Sequence, residues 1–174
     1  MIETILIFGG SVFIVWVSVP SLQRPGSHGY YRFFAWEAIL GMILINVRGW
    51  FVHPFAWYQI VSWVLLFTSL VPLITGVYLL RHAGKPTDAL EATTQLVQSG
   101  IYRFIRHPLY ASLLALAWGI FFKSPSLLDG CIANVTTAFL YATARADEAE
   151  CLDRFGDEYA GYMKTTRMFI PHVF

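Results

Sequence analysis

The sequence predicts an all-α integral membrane protein with about five transmembrane helices. Of its 174 residues, 56% are hydrophobic and only 13% are charged, whereas a soluble domain carries about 25% charged residues. The mean hydropathy is +0.55, and apolar runs long enough to cross a bilayer recur along the chain. The net charge of +1 provides no broad basic surface, so no nucleic acid partner is expected.

Each predicted span is an apolar run bounded by polar or turn-forming residues. The fourth run has 14 residues and would reach about 21 Å as a helix, short of a hydrocarbon core of about 30 Å. A turn at residues 123–126 joins it to the fifth run, which predicts a short helical hairpin. The fifth helix is expected to continue out of the membrane as a cytoplasmic C-terminal helix that ends or bends at Gly156. The five runs cover residues 5–22, 33–47, 57–80, 109–122 and 127–144.

The distribution of positive charge predicts the orientation. Ten of the twelve lysines and arginines fall on one side of a five-span arrangement, and only Arg48 and Lys123 fall on the other. The positive-inside rule therefore predicts an external N-terminus and a cytoplasmic C-terminal half. We expect one membrane domain over residues 1–174, with three N-terminal spans in 1–82 and the chemistry in 83–174.

A first polar stretch lies before the fourth span. Pro108 suits the first position of a helix, and the N–H groups after it favour an anion. Arg106 adds a planar donor fork, and Tyr110 lies one helical turn away on the same face. With His107 near the N-cap, these residues predict a carboxylate receptor at the membrane surface. The alternative is that they are ordinary interfacial anchors.

A second polar stretch, residues 145–156, follows the fifth span. Helical spacing puts Glu148 on one face with Leu152 and Phe155, and it allows Arg145 to pair with Glu148. A carboxylate on this face could hold a cationic group of a ligand, and the alternative is a solvated amphipathic helix. Glu37 is a further candidate, because carboxylates within membrane spans are usually functional or paired. No Cys/His spacing predicts a metal site.

These residues carry a resemblance to a known family. Residues 100–102 and 106–110 read Gly-Ile-Tyr and Arg-His-Pro-Leu-Tyr. They resemble the G-x-Y…R-H-P-x-Y signature of the isoprenylcysteine carboxyl methyltransferases and of their relatives, the phospholipid N-methyltransferases. After a hairpin, that family has an acidic pair, then F-G-x-x-Y-x-x-Y and a final proline. The similarity extends over residues 84–171. Its later counterparts here are Asp147-Glu148, Phe155-Gly156-Asp157-Glu158-Tyr159, Tyr162 and Pro171.

The resemblance implies S-adenosyl-L-methionine as the cofactor and a lipophilic small molecule or lipidated molecule as the methyl acceptor, reached from membrane lipid. Arg106 and Glu148 are the candidate catalytic residues, and Arg106 would lie nearest the reacting group of the acceptor. The candidate substrate-binding residues are Arg106, Arg145 and Glu37. The candidate cofactor-binding residues are Leu96, Gly100, Tyr102, His107, Pro108, Tyr110 and Glu148.

Three other functions fit parts of the same pattern. A phospholipid or small-molecule N- or S-methyltransferase of the same superfamily would differ only in its acceptor. An NADPH-dependent membrane sterol reductase has a similar terminal motif, usually with Asn after R-H-P, where this chain has Leu109. A membrane scaffold without catalytic function would bind no S-adenosyl ligand. The chain also departs from the family at Asp147, where glutamate is usual.

Overall fold

The computed structural model describes residues 2–86 and 93–171, with side chains from Phe8 onward. These residues form helices, two short 3-10 turns and two isolated bridges, and no strand, so the predicted all-α class is confirmed. The six helices are α1 Ile2–Leu22, α2 His28–Asn46, α3 Trp57–His82, α4 Pro108–Phe121, α5 Leu127–Phe155 and α6 Asp157–Thr165.

Local capping explains where several helices begin and end. Helix α2 begins more than a turn before the predicted span, because the side chain of Ser27 accepts a hydrogen bond from the backbone N–H of Tyr30 (3.2 Å). Helix α4 begins at Pro108, as predicted. Helix α5 continues without a break to Phe155 and stops at Gly156, whose φ of +53° favours glycine.

Within the described residues, two helices, α3 and α5, are long and apolar enough to cross a membrane by length and composition. Shorter apolar helices lie at Phe8–Leu22 and Pro108–Phe121. Large apolar side chains of α3 are exposed, including Val64 (58%), Phe67 (64%) and Ile74 (64%). An apolar surface of this kind suits lipid better than water. The five-span count and the orientation remain predictions.

The chain divides into two compact units. The first comprises Met1–Phe67 and Leu114–Asp147. Within it, α1 and α2 approach closely at Gly10, which has no side chain. A Cβ at this position would lie 2.9 Å from the side chain of Leu40. Asn46 of α2 donates to the buried Asp129 of α5 (2.8 Å), so polar groups join helices that are otherwise apolar.

A buried polar junction in the same unit involves Gln59 and Lys123, which are 0% and 1% exposed. The amide nitrogen of Gln59 donates to the Lys123 carbonyl (2.8 Å) and to the Gly49 carbonyl (3.1 Å). Its amide oxygen accepts from the Lys123 ammonium (3.1 Å), which also lies 3.4 Å from the ring centre of Trp63. The charge therefore has both a hydrogen bond and a cation–π contact.

The second unit comprises Thr68–Leu113 and Glu148–Phe174. The loop after α3 folds back on the helix end, and the Gly84 carbonyl accepts from the N–H groups of Thr94 (3.0 Å) and Gln95 (3.2 Å). Gly100 has φ +59°, and a Cβ there would lie 2.7 Å from Leu79. Glycine is required for both reasons. This loop leads directly into the candidate site.

Candidate functional site

The candidate site is built on a backbone pairing between the segment before α4 and the segment after α6. The N–H of Arg106 donates to the Arg167 carbonyl (2.8 Å), and the N–H of His107 donates to the Met168 carbonyl (3.1 Å). In return, the Arg167 N–H donates to the Phe104 carbonyl (3.1 Å). The Arg-His-Pro segment is therefore held by a part of the chain about 60 residues away. No local signal in the sequence predicted this pairing.

Arg106 connects the fifth helix to the C-terminal segment. Its Nε donates to Glu148 Oε1 (2.8 Å), and its Nη2 lies 2.8 Å from the same oxygen. Its Nη1 donates to the carbonyls of Thr166 (2.6 Å) and Met163 (3.3 Å). The side chains of Arg106 and Glu148 are 10% and 3% exposed. A buried charge pair of this kind needs these additional hydrogen bonds to offset its desolvation.

His107 lies beside this ion pair. Its Nε2 lies 3.5 Å from Glu148 Oε1. Its ring stacks on Tyr110, with centroids 5.4 Å apart, and lies against Phe169 at 6.2 Å. His107 and Tyr110 are 4% and 3% exposed. Arg106 and His107 therefore both lie next to the same carboxylate oxygen of Glu148, and two aromatic rings pack on His107.

Tyr162 ties α6 to the loop before the cluster. Its hydroxyl donates to the Tyr102 carbonyl, and its own carbonyl accepts from the Thr166 hydroxyl (2.7 Å). Burial raises the pKa of the Tyr162 hydroxyl above its usual value, although the nearby Arg106 opposes the shift. The hydroxyl therefore remains protonated and keeps its role as a donor. Tyr162 belongs to the family-like motif, but the sequence alone predicted no role for it.

All seven predicted cofactor-binding residues belong to the second unit. Pro108 begins α4, and Tyr102 is buried in the core of this unit with Leu80 and Val97. Leu96 is partly buried, and Gly100 opens the 3-10 turn that contains Tyr102.

The residues of the second polar stretch differ in burial. Glu148 is buried, Leu152 is 38% exposed, and Cys151 and Phe155 are half-buried. Arg106 and His107 both meet Glu148 Oε1, and the pairing of Glu148 with Arg145 stays a prediction. Residue spacing along one helix could not predict Arg106 and His107 as partners, because they come from another segment of the chain.

Two predicted substrate-binding residues lie outside the charged cluster. Arg145 is exposed on α5. Glu37 belongs to the first unit, where its Oε2 accepts a hydrogen bond from the Ser11 hydroxyl (2.6 Å). Its other oxygen is buried and has no hydrogen-bond partner among the described residues. Both roles stay predictions.

The chemistry of the cluster fits the cofactor that the sequence predicted. An amino acid group carries an ammonium and a carboxylate, and the cluster offers a buried carboxylate at Glu148 and a guanidinium at Arg106. The stacked rings of His107 and Tyr110 add an aromatic surface. Among the described residues, no group of His, Cys, Asp or Glu has the arrangement of a metal site. A carboxylate, a guanidinium and an aromatic surface are groups that suit a zwitterionic organic ligand.

The fold and the site together define a helical protein with membrane-compatible helices and a buried Arg–His–Glu cluster at the start of a short hairpin. Residues 57–155 match the model of the phospholipid methyltransferase family. This match covers more than half of the 174 residues and includes all three members of the cluster. The chain belongs to the phospholipid methyltransferase family.

Individual relatives agree with this assignment. Methanethiol S-methyltransferase 1 of Bradyrhizobium diazoefficiens is 32% identical over 116 residues, which is 63% of this chain and 39% of the relative. Methanethiol S-methyltransferase of a Pseudomonas strain, GM41(2012), is 27% identical over 73 residues, covering 41% of this chain and 26% of the relative. Delta(14)-sterol reductase of Mus musculus is 32% identical over 95 residues, covering 53% of this chain and 23% of the relative.

In each case the chain spans about two fifths or less of the length of the curated relative. No solved structure matches the chain significantly.

Proposed function

We propose that this protein is an S-adenosyl-L-methionine-dependent methyltransferase that acts at the membrane–cytosol interface on a small or lipophilic acceptor. The observation that carries the proposal is the buried cluster of Arg106, His107 and Glu148, which lies inside the segment that matches the family. Burying the charges of Arg106 and Glu148 has a large desolvation cost, and buried charged groups of this kind are concentrated at functional sites.

The chain's own residues would bind and orient the two reactants. When bound, S-adenosyl-L-methionine supplies a methyl group activated by a positively charged sulfur. Glu148 would hold the amino group of this cofactor, with His107 and Tyr110 beside it. Leu96, Gly100, Tyr102 and Pro108 would complete the cofactor site. Alignment and exclusion of water are the main requirements of such a displacement.

Arg106 would position Glu148 for the cofactor, and this role is supported by its hydrogen bonds to Glu148 and to the carbonyls of Met163 and Thr166. We propose that it also lies nearest the reacting group of the acceptor, where a positive charge favours an anionic nucleophile. Arg145 and Glu37 are further candidates for contact with the acceptor. Both lie outside the Arg106–Glu148 pair and require separate tests.

A thiol is the first acceptor to test, because two relatives are named methanethiol S-methyltransferases. A thiol must lose its proton before it reacts, since the thiolate is the nucleophile. A carboxylate acceptor, as in an isoprenylcysteine, is already ionised at pH 7. A phospholipid amine would need a base. The three acceptor classes therefore differ in the pH dependence of turnover.

The binding experiment uses the purified full chain in detergent with S-adenosylhomocysteine, the product form of the cofactor. A ligand at 100 times its dissociation constant should stabilise the fold by about 2.7 kcal/mol, which thermal unfolding can detect. Turnover is then measured with methanethiol, an isoprenylated cysteine and a phosphatidylethanolamine. An unchanged melting temperature at millimolar S-adenosylhomocysteine would contradict the proposal.

A reductase is the second candidate, because the similarity to Delta(14)-sterol reductase covers 53% of this chain. That function requires NADPH rather than a methyl donor. The same unfolding assay with NADPH separates the two classes. Stabilisation by NADPH and not by S-adenosylhomocysteine would favour the reductase.

A further inference from the structure

A cationic cavity lies next to the candidate site, on the side of the C-terminal segment. Its volume is about 220 Å³, which equals the space of about seven water molecules. Three basic side chains share this one concave surface, to which backbone and side-chain atoms of the neighbouring residues also contribute. The cavity is lined by Arg103, Phe104, Lys164, Thr165, Arg167 and Pro171.

The three positive charges have no acidic counterpart in the part of the chain that the structure describes. Arg103, Lys164 and Arg167 are exposed, and none of them forms an ion pair with a described Asp or Glu. Three like charges around one cavity repel each other, and an anion with several oxygens would relieve that repulsion. The cavity therefore has the electrostatic character of an anion site.

The backbone holds the cavity in a defined shape. The backbone N–H of Arg167 donates to the Phe104 carbonyl (3.1 Å), and the Thr165 hydroxyl donates to the Tyr162 carbonyl (3.0 Å). Lys164 and Arg167 thus project from a segment that is anchored at both ends. The cations are presented together by the fold and are not simply neighbours along one helix.

One large apolar side chain lines the cavity beside the basic residues. Phe104 is 49% exposed. Large apolar side chains beside basic residues are typical of a surface that meets the interface of a membrane. The charge distribution also predicts that this segment faces the cytosol, where the leaflet carries anionic lipid.

We propose that this cavity binds a phosphate group through Arg103, Lys164 and Arg167. An anionic phospholipid headgroup and free inorganic phosphate are the two sources of this group, and the exposed Phe104 in the lining favours the lipid. Arginine can contact two phosphate oxygens at once, and lysine adds a point charge. The proposal is independent of methyl transfer, because none of these side chains belongs to the Arg106–His107–Glu148 cluster.

The test compares two triple variants of the full chain. Arg103→Gln/Lys164→Gln/Arg167→Gln removes the cavity cations. Arg24→Gln/Arg81→Gln/Lys85→Gln removes the same number of exposed positive charges elsewhere. Dissociation constants for phosphatidylglycerol and phosphatidylcholine are measured in neutral detergent micelles by native mass spectrometry. Binding of S-adenosylhomocysteine is measured on the same preparations, which reports on the candidate site separately.

We expect the cavity variant to lose at least tenfold in affinity for phosphatidylglycerol and the control variant to lose less than twofold. Inorganic phosphate is the second arm, and competition by it at low millimolar concentration would support the site but assign it to free phosphate. Equal losses in both variants, or an unchanged affinity in the cavity variant, would overturn the proposal.

If the triple variant does not fold, the exposed single variant Lys164→Gln is used with a salt titration. A specific cavity predicts a weaker salt dependence of phosphatidylglycerol binding in this variant than in the wild type. An identical salt dependence would overturn the proposal in the same way.

Discussion

At the scale of single residues, one carboxylate oxygen organises the site. Glu148 Oε1 lies within 2.8 Å of Arg106 and 3.5 Å of His107. Because the side chains of Arg106 and Glu148 are almost completely buried, the loss of either charge leaves the other poorly solvated. The Arg106 guanidinium also holds two backbone carbonyls of the C-terminal segment, so a change at this residue is transmitted to α6.

The substitution Glu148→Gln should weaken the binding of S-adenosylhomocysteine. The loss of a charged hydrogen-bonding partner costs about 1.5–3 kcal/mol, which corresponds to about a tenfold to hundredfold change in the dissociation constant. Glu150→Gln is the matched control, because Glu150 lies two positions on along α5 and is less buried. Isothermal titration calorimetry measures both, and circular dichroism checks that each variant is folded. Equal effects would mean that Glu148 has no special role.

The substitution Arg106→Lys should reduce turnover more than tenfold with whichever acceptor proves active. Lysine keeps the positive charge, but it cannot contact Glu148 and the Thr166 carbonyl in the geometry of a guanidinium. The affinity for S-adenosylhomocysteine should fall less than in Glu148→Gln, because Glu148 keeps its charge. Turnover and binding are measured on one preparation.

The alternative for Arg106 is an interfacial anchor, a role that lysine also performs because both side chains can extend to the membrane surface. Turnover close to that of the wild type would support this alternative. Arg24→Lys, an exposed arginine in the first unit, is the control for a general effect of the substitution.

At the scale of elements, short polar contacts fix the ends of helices that are otherwise apolar. Gln59 at the start of α3 holds the turn after α4 through the carbonyl and the ammonium of Lys123. Ser126 binds Asp129 at the start of α5, and Asp129 also binds Asn46 of α2. Apolar helices pack without strong directional preference, so contacts of this kind define their register.

The substitution Gln59→Leu should lower the melting temperature by several degrees. Leucine leaves the Lys123 ammonium and the buried carbonyls near it without their amide partner, at about 1–3 kcal/mol for each unsatisfied group. A chain of this size loses about 2–4 °C per kcal/mol. Gln23→Leu makes the same chemical change at an exposed position. If both variants melt like the wild type, the junction has no structural importance.

At the scale of the whole molecule, the asymmetry of positive charge should determine the topology. Ten of the twelve basic residues lie on the side predicted to be cytoplasmic. Reporters that are active only in the cytosol should therefore work when fused to the C-terminus and fail when fused to the N-terminus. Equal signals at both termini would mean an even number of spans and would contradict the five-span prediction.

The sequence by itself determined the features that depend on neighbouring residues. Apolar runs produced the long helices, and Pro108 and Gly156 marked a helix start and a helix end, because these signals act within one or two turns. The extension of α5 to Phe155 was also predictable. The same local information identified Arg106, His107 and Glu148 as candidates, because the motif residues lie within two short stretches of the sequence.

Only the tertiary structure decided which partners these residues have. Glu148 meets Arg106 and His107, two partners that the helical spacing along α5 did not predict. The pairing of Arg106 and His107 with Arg167 and Met168 joins segments about 60 residues apart. Such contacts depend on how the chain folds back on itself, and neither hydrophobic periodicity nor capping contains that information. The helices are therefore local properties of this chain, and the charged site is a property of its fold.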